Sequence, residues 1–457
     1  MSKEVHYVAI FGGAVAGSEA VRQLIKHDIK LVVFDQNAYP YGKIELGLPK
    51  WHAKLRDKQE EKIDETLSDP RVKFVPNVHL GIDVDFNDVV DNWGFSAVLL
   101  ANGAWRDRPL PIQGIDEYVG RGFYYQNPLI AWFNQCHDPN YKGEHLQIVD
   151  GAIVVGGGLA SLDVVKMLML VTVSNALKEK GHNYDVLTLE HKGIAPILNE
   201  LGLSLEALGL KGATLYTRQR IVDMPLAPMP ENADDATMEK VYNVRKKVLK
   251  IATDKFLFKV VDNLMPVDKI VENERLVGLK FQRTKTEKGK MEVIPEEFLD
   301  VKTPLTISAI GSIPELIPGV PTKGETYRVL DIESGQLEGF DNVFILGNAV
   351  TGRGNIRDTQ QHGRKVTERI VDQFMAQDEE DYKELFDRAE SLTDLRLSSI
   401  GEKIMSFAPL SDDEIQKLEE KITRLQKKSG YDGNYLEWVK KHTPTRLEKM
   451  IDHGKKA

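Results

Sequence analysis

The chain has 457 residues, with 60 Lys and Arg against 69 Asp and Glu and a formal net charge of −9; this length suits two or three domains, each with its own core. A hydrophobic share of 42% with 28% charged residues excludes a disordered chain, and the acidic balance gives no nucleic-acid footprint. The single cysteine, Cys136, excludes an internal disulfide, a C-x-x-C pair and a cysteine-ligated iron–sulfur cluster, so any redox chemistry must come from an organic cofactor, and no metal site is expected. Cys136 itself reads as a small half-buried hydrophobe. The start, MSKEVHYVAIF, lacks a signal-peptide layout, and the longest apolar run, around Val164–Val173, is broken by Lys166 and Thr172 and is too short to span a bilayer; a cytoplasmic protein without membrane contact is expected.

In chain order, His6–Phe11 is a short apolar run that predicts a strand, and GGAVAGSEAVRQLI follows with Ala20, Val21, Leu24 and Ile25 at helical spacing. Gly12, Ala14 and Gly17 fill the three small-residue positions of the dinucleotide fingerprint, which serve a tight turn, close approach of backbone to pyrophosphate, and close helix–strand packing. Ala14 stands at the usual middle glycine, and Val15 comes next. The run KLVVFD then ends in Asp35, roughly 20 residues on, where a carboxylate accepts hydrogen bonds from an adenosine ribose. The segment NAYPYGKIELGLPKWHAK, with Gly42, Gly47 and Pro49, reads as an irregular loop of the type that lines ligands. Val72–Pro76 and NVHLGIDV predict further strands. FSAVLLANGAW predicts a buried parallel strand whose C-terminal end, Asn102–Gly103, faces a ligand crevice.

Arg106–Gly120 is rich in proline and glycine and leads out of this unit, through a helical piece carrying Trp132 and Cys136, to AIVVGGGLASLDVVK. Here Gly156, Gly158 and Ser161 fill the same three positions a second time. A long helical region, Ser174–Leu210, precedes the strand ATLYT, which ends near Arg218 and Arg220. Two readings of this unit's far end stand side by side. If Val186–Glu190 is the next strand, Glu190 accepts a ribose 2′-hydroxyl and favours NAD(H); if Ala213–Thr217 is, the arginines clamp a 2′-phosphate and favour NADP(H).

A charged helix is predicted from Tyr242 to Lys250, then a meander through Phe256–Val261, Leu276–Thr284 and Met291–Val293 with a polar hairpin at Glu287–Lys290. TPLTISAIGSIPEL holds another strand, ending at Gly311. DNVFILGNAV gives a last one, stopping at Gly347–Asn348, and TGRGNIRDTQQHGRKVTERIVDQF a glycine turn with an amphipathic helix. The order predicts an α/β fold of two Rossmann-like dinucleotide-binding domains, the second inserted into the first. The expected boundaries are 1–108 with 325–375, 109–324 for the insertion, and 376–457 for a helical C-terminal extension. That extension gathers Lys427, Lys428, Lys440, Lys441, Arg446, Lys449, Lys455 and Lys456, which reads either as a solvated helical surface or as an electrostatic dock for an acidic protein.

Taken together, the ordered motifs FGGAVAG, FDQNAYPYGKIELGLPKWHAK, VLLANGA, VVGGGLASLDVVKML, LYTRQRIVDMP, ISAIG and LGNAVTGRGNI resemble the adrenodoxin-reductase-like ferredoxin–NADP reductases. At YTRQRIVDMP they also resemble the small flavoprotein subunit of glutamate synthase. The resemblance covers about residues 5–372. It implies FAD in the discontinuous domain and NADP(H) in the inserted one. It further implies that Gly12, Ala14, Val15, Gly17 and Asp35 hold the FAD pyrophosphate and ribose. Gly42, Lys43, Gly47, Leu48, Asn102 and Gly103 would contact the flavin, together with a last turn through Gly347, Asn348, Gly352, Asn355 and Ile356. Gly156, Gly158, Leu159, Ala160 and Asp163 would serve the NADP pyrophosphate, and Arg218 and Arg220 the 2′-phosphate. His52, spaced from Lys54 as in the family, becomes the catalytic candidate, orienting the nicotinamide or relaying a proton. Three positions depart from the family: Asn348 stands where relatives carry Asp or Trp, Asn102 where many carry Thr, and Gln219 splits an arginine pair. The implied function is hydride transfer between nicotinamide and flavin, then electron transfer to a ferredoxin-like protein, with an oligomer compatible. Reduction of a small organic or sulfur substrate, membership of a larger redox complex, and a non-catalytic flavin sensor or scaffold are the alternatives.

Overall fold

The computed structural model describes residues 5–27, 29–230, 233–287, 290–330, 334–347, 387, 397 and 400–454. In chain order the longer strands are β1 (His6–Phe11), β2 (Ile29–Phe34), β3 (Val72–Val75), β4 (Ala97–Leu100), β5 (Phe123–Tyr125), β6 (Ile153–Gly156), β7 (Thr214–Tyr216), β8 (Lys259–Val261), β9 (Leu264–Glu272), β10 (Arg275–Glu287), β11 (Lys290–Lys302), β12 (Thr306–Ala309) and β13 (Val343–Ile345). The helices that matter below are α1 (Val15–Leu24), α2 (Ala53–Leu67), α3 (Gln126–Gln135), α4 (Leu159–Glu179), α5 (Val186–Lys192), α6 (Asp235–Phe256), α7 (Asp412–Ser429), α8 (Tyr435–His442) and α9 (Leu447–Gly454).

Two five-stranded sheets carry the fold, in the orders β13-β4-β1-β2-β3 and β5-β12-β6-β7-β8. Every pairing in both is parallel. All residues of β1, β4, β6 and β12 are buried, as expected where helices cover both faces of a parallel sheet and the strands read as continuous apolar runs. The first sheet thus takes four strands that precede the inserted unit and one, β13, that follows it. The chain leaves it at Arg106–Asp107 and returns at Ser312–Ile313, and these two crossings pair antiparallel, Ser312 opposite Asp107 and Ile313 opposite Arg106. The three long strands β9, β10 and β11 form a separate antiparallel meander within the insertion.

Some expectations are corrected. NVHLGIDV is no strand: Asn77 and Gly81 take φ of +57° and +87°, and a tight loop closes when the Gly81 N–H donates to the Val84 carbonyl at 2.7 Å. The alternation of apolar residues there mimics a strand, but a left-handed residue every few positions cannot extend. Val186–Glu190 is helical, within α5, because Asp185 caps it by accepting from the N–H groups of Leu187 and Thr188. The charged helix begins earlier than predicted and runs to Phe256, so only Lys259–Val261 of the expected strand remains. The apolar run around Val164–Val173 lies in a helix of 21 residues, the one helix among the described residues long and apolar enough to cross a membrane; 72% of its apolar window is buried inside the protein.

The C-terminal helices are more than a solvated surface. Strand residues alternate between the faces of the first sheet. Leu418 and Ile422 of α7 join Tyr7, Ala9 and Phe11 on one face, while Tyr431, Tyr435, Trp438 and Val439 join Val8 and Ile10 on the other. Each such side chain taken out of water contributes roughly 1.5–3 kcal/mol, so the extension is clasped to the sheet it follows. Of the basic residues noted in the tail, Arg446 is buried; Lys455 and Lys456 lie outside the described residues.

Candidate active site

Ligands of open α/β sheets sit at the carboxyl ends of the strands where strand order reverses. In the first sheet that point lies between β1 and β4. Gly12 leaves β1 at φ +102°, and a Cβ on it would lie 2.4 Å from the Ala101 carbonyl oxygen; one on Gly17 would lie 1.8 Å from the Gly12 oxygen. Only glycine lets α1 approach β1 this closely. Ala14, the N-cap of α1, offers no side-chain cap, and no acid stands in the first turn, so the helix presents N–H groups and a positive dipole end to an anion. The methyl of Ala14 is accommodated by Gly42, at φ +54°, where a Cβ would come within 2.8 Å of it. The middle alanine of the fingerprint therefore goes with a glycine in the following loop.

Asp35 is buried just beyond β2. Its Oδ2 accepts from the Gly13 N–H and its Oδ1 from the Asn37 N–H, each at 2.9 Å. Burial pushes its carboxyl up to about 6, against the pull of these hydrogen bonds. Gly347, at φ +63°, meets the first turn of α1, since a Cβ there would lie 2.9 Å from the Ala16 Cβ. The chain therefore returns to the glycine turn as it leaves β13. Asn348, Gly352, Asn355 and Ile356 lie outside the described residues. After β4, Asn102 donates from Nδ2 to the Tyr327 hydroxyl at 3.4 Å, and its buried Oδ1 has no partner among the described residues. Gly103 follows at φ +70°.

The loop before α2 is held from the inserted unit. Asn134 of α3 donates to the carbonyls of Glu45 and Leu48, both at 2.8 Å, which fixes the chain around Gly47. Lys43 donates to Asn127 Oδ1 at 3.1 Å and Ser312 Oγ at 2.9 Å, beside the paired crossings. Burial lowers its ammonium to about 8 although Asp107 opposes this, and burial raises Asp107 to about 6. His52 is 1% exposed. Its Nε2 accepts from the Trp51 indole N–H at 2.9 Å. Lys54, two residues on, is exposed.

In the second sheet the order reverses between β6 and β12. A Cβ on Gly156 would lie 2.5 Å from the Ser161 Cβ and 2.6 Å from the Ala309 oxygen. Gly158 is the N-cap of α4, again without a side-chain cap or an acid in the first turn; Leu159 and Ala160 open the helix, and Asp163 is buried within it. The loop after β7 borders this turn, since a Cβ on Gly157 would lie 2.9 Å from Thr217 Oγ1. Of the two arginines on the loop, Arg220 is engaged by Asp223 at 2.6 and 3.0 Å. Arg218 is exposed and its guanidinium has no hydrogen bond or ion pair among the described residues. Glu190 instead pairs with Lys166 at 2.7 Å inside the unit, so its reading as the ribose acceptor at a strand end is corrected.

Sequence reasoning missed three partners. Tyr327 meets Asn102, Trp51 meets His52, and Arg446 forms ion pairs with Glu45 and, at 2.8 Å, with Glu60. Only the adjacency of Trp51 and His52 left a local signal.

No family model matches the sequence. Over 166 residues the chain is 30% identical to the probable mitochondrial NADPH:adrenodoxin oxidoreductase of Schizosaccharomyces pombe, covering 35% of this chain and 34% of that protein. Over 350 residues it is 24% identical to the mitochondrial NADPH:adrenodoxin oxidoreductase of Arabidopsis thaliana, covering 70% of each. The match thus spans about a third of the first relative's length and more than two thirds of the second's. Among solved structures, Mycobacterium tuberculosis FprA in complex with NADPH superposes with a TM-score of 0.65 at 20% identity, over 93% of this chain and 91% of that one. The chain therefore has the FprA fold, and the resemblance to adrenodoxin reductases carried by its motifs is borne out.

Proposed function

We propose that the protein is an FAD-dependent, NADP(H)-using oxidoreductase that passes electrons between NADPH and a ferredoxin-like carrier. The observation that carries this is the pair of glycine turns, each at the switch point of its own parallel sheet, in a chain whose two crossings between the sheets are paired. Residues 1–108 and 325–375 would form the FAD unit and 109–324 the NADP(H) unit.

In the first unit, Gly12, Ala14, Val15 and Gly17 bring backbone and the open end of α1 to the pyrophosphate, and Asp35 accepts from the ribose. A bound hydroxyl donor would also stabilise the ionised form of that buried carboxylate. Gly42, Lys43, Gly47, Leu48, Asn102, Gly103 and Gly347 line the ring; the resemblance adds Asn348, Gly352, Asn355 and Ile356, which lie outside the described residues. Asn102 Oδ1, buried without a partner among the described residues, fits a donor on a bound group. In the second unit Gly156, Gly158, Leu159, Ala160 and Asp163 take the pyrophosphate end. Arg218 reaches the 2′-phosphate, with Arg220 held in place by Asp223 and setting the loop. Bound FAD supplies the ability to take two electrons as a hydride at N5 and release them singly. The protein's part is to align the two rings and exclude water, with His52 donating to or orienting the nicotinamide.

Purified protein with a visible flavin spectrum that NADPH bleaches supports the reading; a colourless protein that cannot be loaded with FAD sinks it.

A further inference from the structure

His52 takes its orientation from Trp51. The His52 ring is almost wholly buried, and its Nε2 is occupied as an acceptor by the Trp51 indole N–H at 2.9 Å. A neutral imidazole has one donor and one acceptor nitrogen. With Nε2 accepting, the ring proton sits on Nδ1.

Trp51 is itself clamped, and by the other unit. Its ring packs against the hydrophobic core of the insertion, meets Phe133 of α3 edge-on at 5.5 Å between centroids, and lies 4.4 Å from the Lys166 ammonium of α4. Lys166 also lies over Phe256 at 4.8 Å and pairs with Glu190 at 2.7 Å. A cation over an indole face is attracted by the ring quadrupole, more strongly where water is excluded. The helix that opens at Gly158, on the proposed NADP side, therefore fixes the indole, and the indole fixes the imidazole of the flavin-side loop.

We propose that Trp51 is a positioning residue for hydride transfer: its indole N–H holds His52 as the Nδ1–H tautomer and ties that ring to the nicotinamide-binding unit. The proposal rests on the reductase reading only for the reaction it serves; the tautomer is a property of the chain.

The test is Trp51→Phe, which keeps an aromatic ring in the slot and removes the donor. Nitrogen-15 spectra of histidine-labelled protein at pH 8, with His52 identified among the 11 histidines by difference from His52→Gln, report which nitrogen carries the proton. Wild type shows Nδ1–H, and Trp51→Phe moves protons to Nε2. In the FAD-loaded protein, Trp51→Phe slows flavin reduction at saturating NADPH by ~10-fold with KM within about two-fold, and the double variant is no slower than His52→Gln alone. A wild-type spectrum with the proton on Nε2 overturns the proposal even if the variant misfolds. So does a rate loss that is the same in the presence and absence of His52. If wild type is not reduced by NADPH, the reductase reading fails instead, and the spectrum still decides the tautomer.

Discussion

Arg218 and Arg220 show how two arginines one residue apart divide their work. Arg220 is spent on Asp223, while Arg218 stands exposed beside the second glycine turn. Arg218→Ala is expected to raise KM for NADPH by about 10- to 100-fold, the weight of a charge-assisted contact, with little change for NADH. Equal effects on both nucleotides, measured in steady state, would place the arginine elsewhere. Lys43 makes a different kind of prediction. Its value falls from 10.5 to about 8 on folding because it is buried. Between pH 8 and 10.5 the unfolded chain holds a proton that the folded chain lacks, so this group's contribution to stability rises with pH across that window. Below pH 8 it is a constant cost of about 3 kcal/mol before its hydrogen bonds are counted. Its partners Asn127 and Ser312 also bond each other at 3.0 Å. Lys43→Met apoprotein should thus be more stable than wild type by about 1–2 kcal/mol at pH 7, and urea titrations should find the advantage gone by pH 10. An advantage that grows with pH would contradict this. At this scale the sequence is most legible where sterics leave one choice: Gly12 and Gly17 could be read because nothing larger fits. Tyr327 at Asn102 could not, since the two lie far apart in the chain and meet only after the fold forms.

Among elements, those with an apolar run, β4, β6 and β13, and the largely apolar β1, were readable because burial on both faces demands such runs; β12, TISA, was readable only from the apolar residues around it. Those that failed did so for local reasons. NVHLGIDV has strand alternation but turns at Asn77 and Gly81, and Val186–Glu190 has strand-like residues but a helix cap in Asp185. The C-terminal helices were legible as helices and not as parts of the core. Their buried stripe is narrow, Leu418 and Ile422 in α7, and its meaning depends on the sheet it meets. Arg446, just before α9, lies between Glu45 and Glu60 and so ties the extension to the loop that carries His52. Arg446→Met takes the cation from the buried Glu45 carboxylate and leaves Glu60 with Arg56 alone among the described residues, at 4.0 Å, and unfolding titrations should show a loss of about 3–5 kcal/mol. Adding Glu45→Gln should recover part of it. A loss below ~1 kcal/mol would mean that solvent reaches the pair.

For the whole molecule, the decisive arrangement is two nucleotide-type sheets joined by crossings that pair with each other at Asp107 and Ser312. A discontinuous first unit was legible because the chain shows a glycine turn after an apolar strand twice and then one more buried strand. The direct contacts between units, Asn134 to the loop at Glu45 and Leu48 and Trp51 to the insertion's core, were not. If the acceptor is an acidic carrier protein, its reduction should slow steeply between low and high salt, since charge attraction is screened over ~10 Å at 0.1 M salt. A salt-independent rate would favour a small-molecule acceptor. Whether NADPH and FAD meet in this chain is decided by anaerobic stopped-flow reduction of the bound flavin by NADPH and NADH side by side. NADPH should bleach the flavin rapidly and with a clear preference over NADH; no reduction by either nucleotide, or a preference for NADH, would show that they do not meet as proposed.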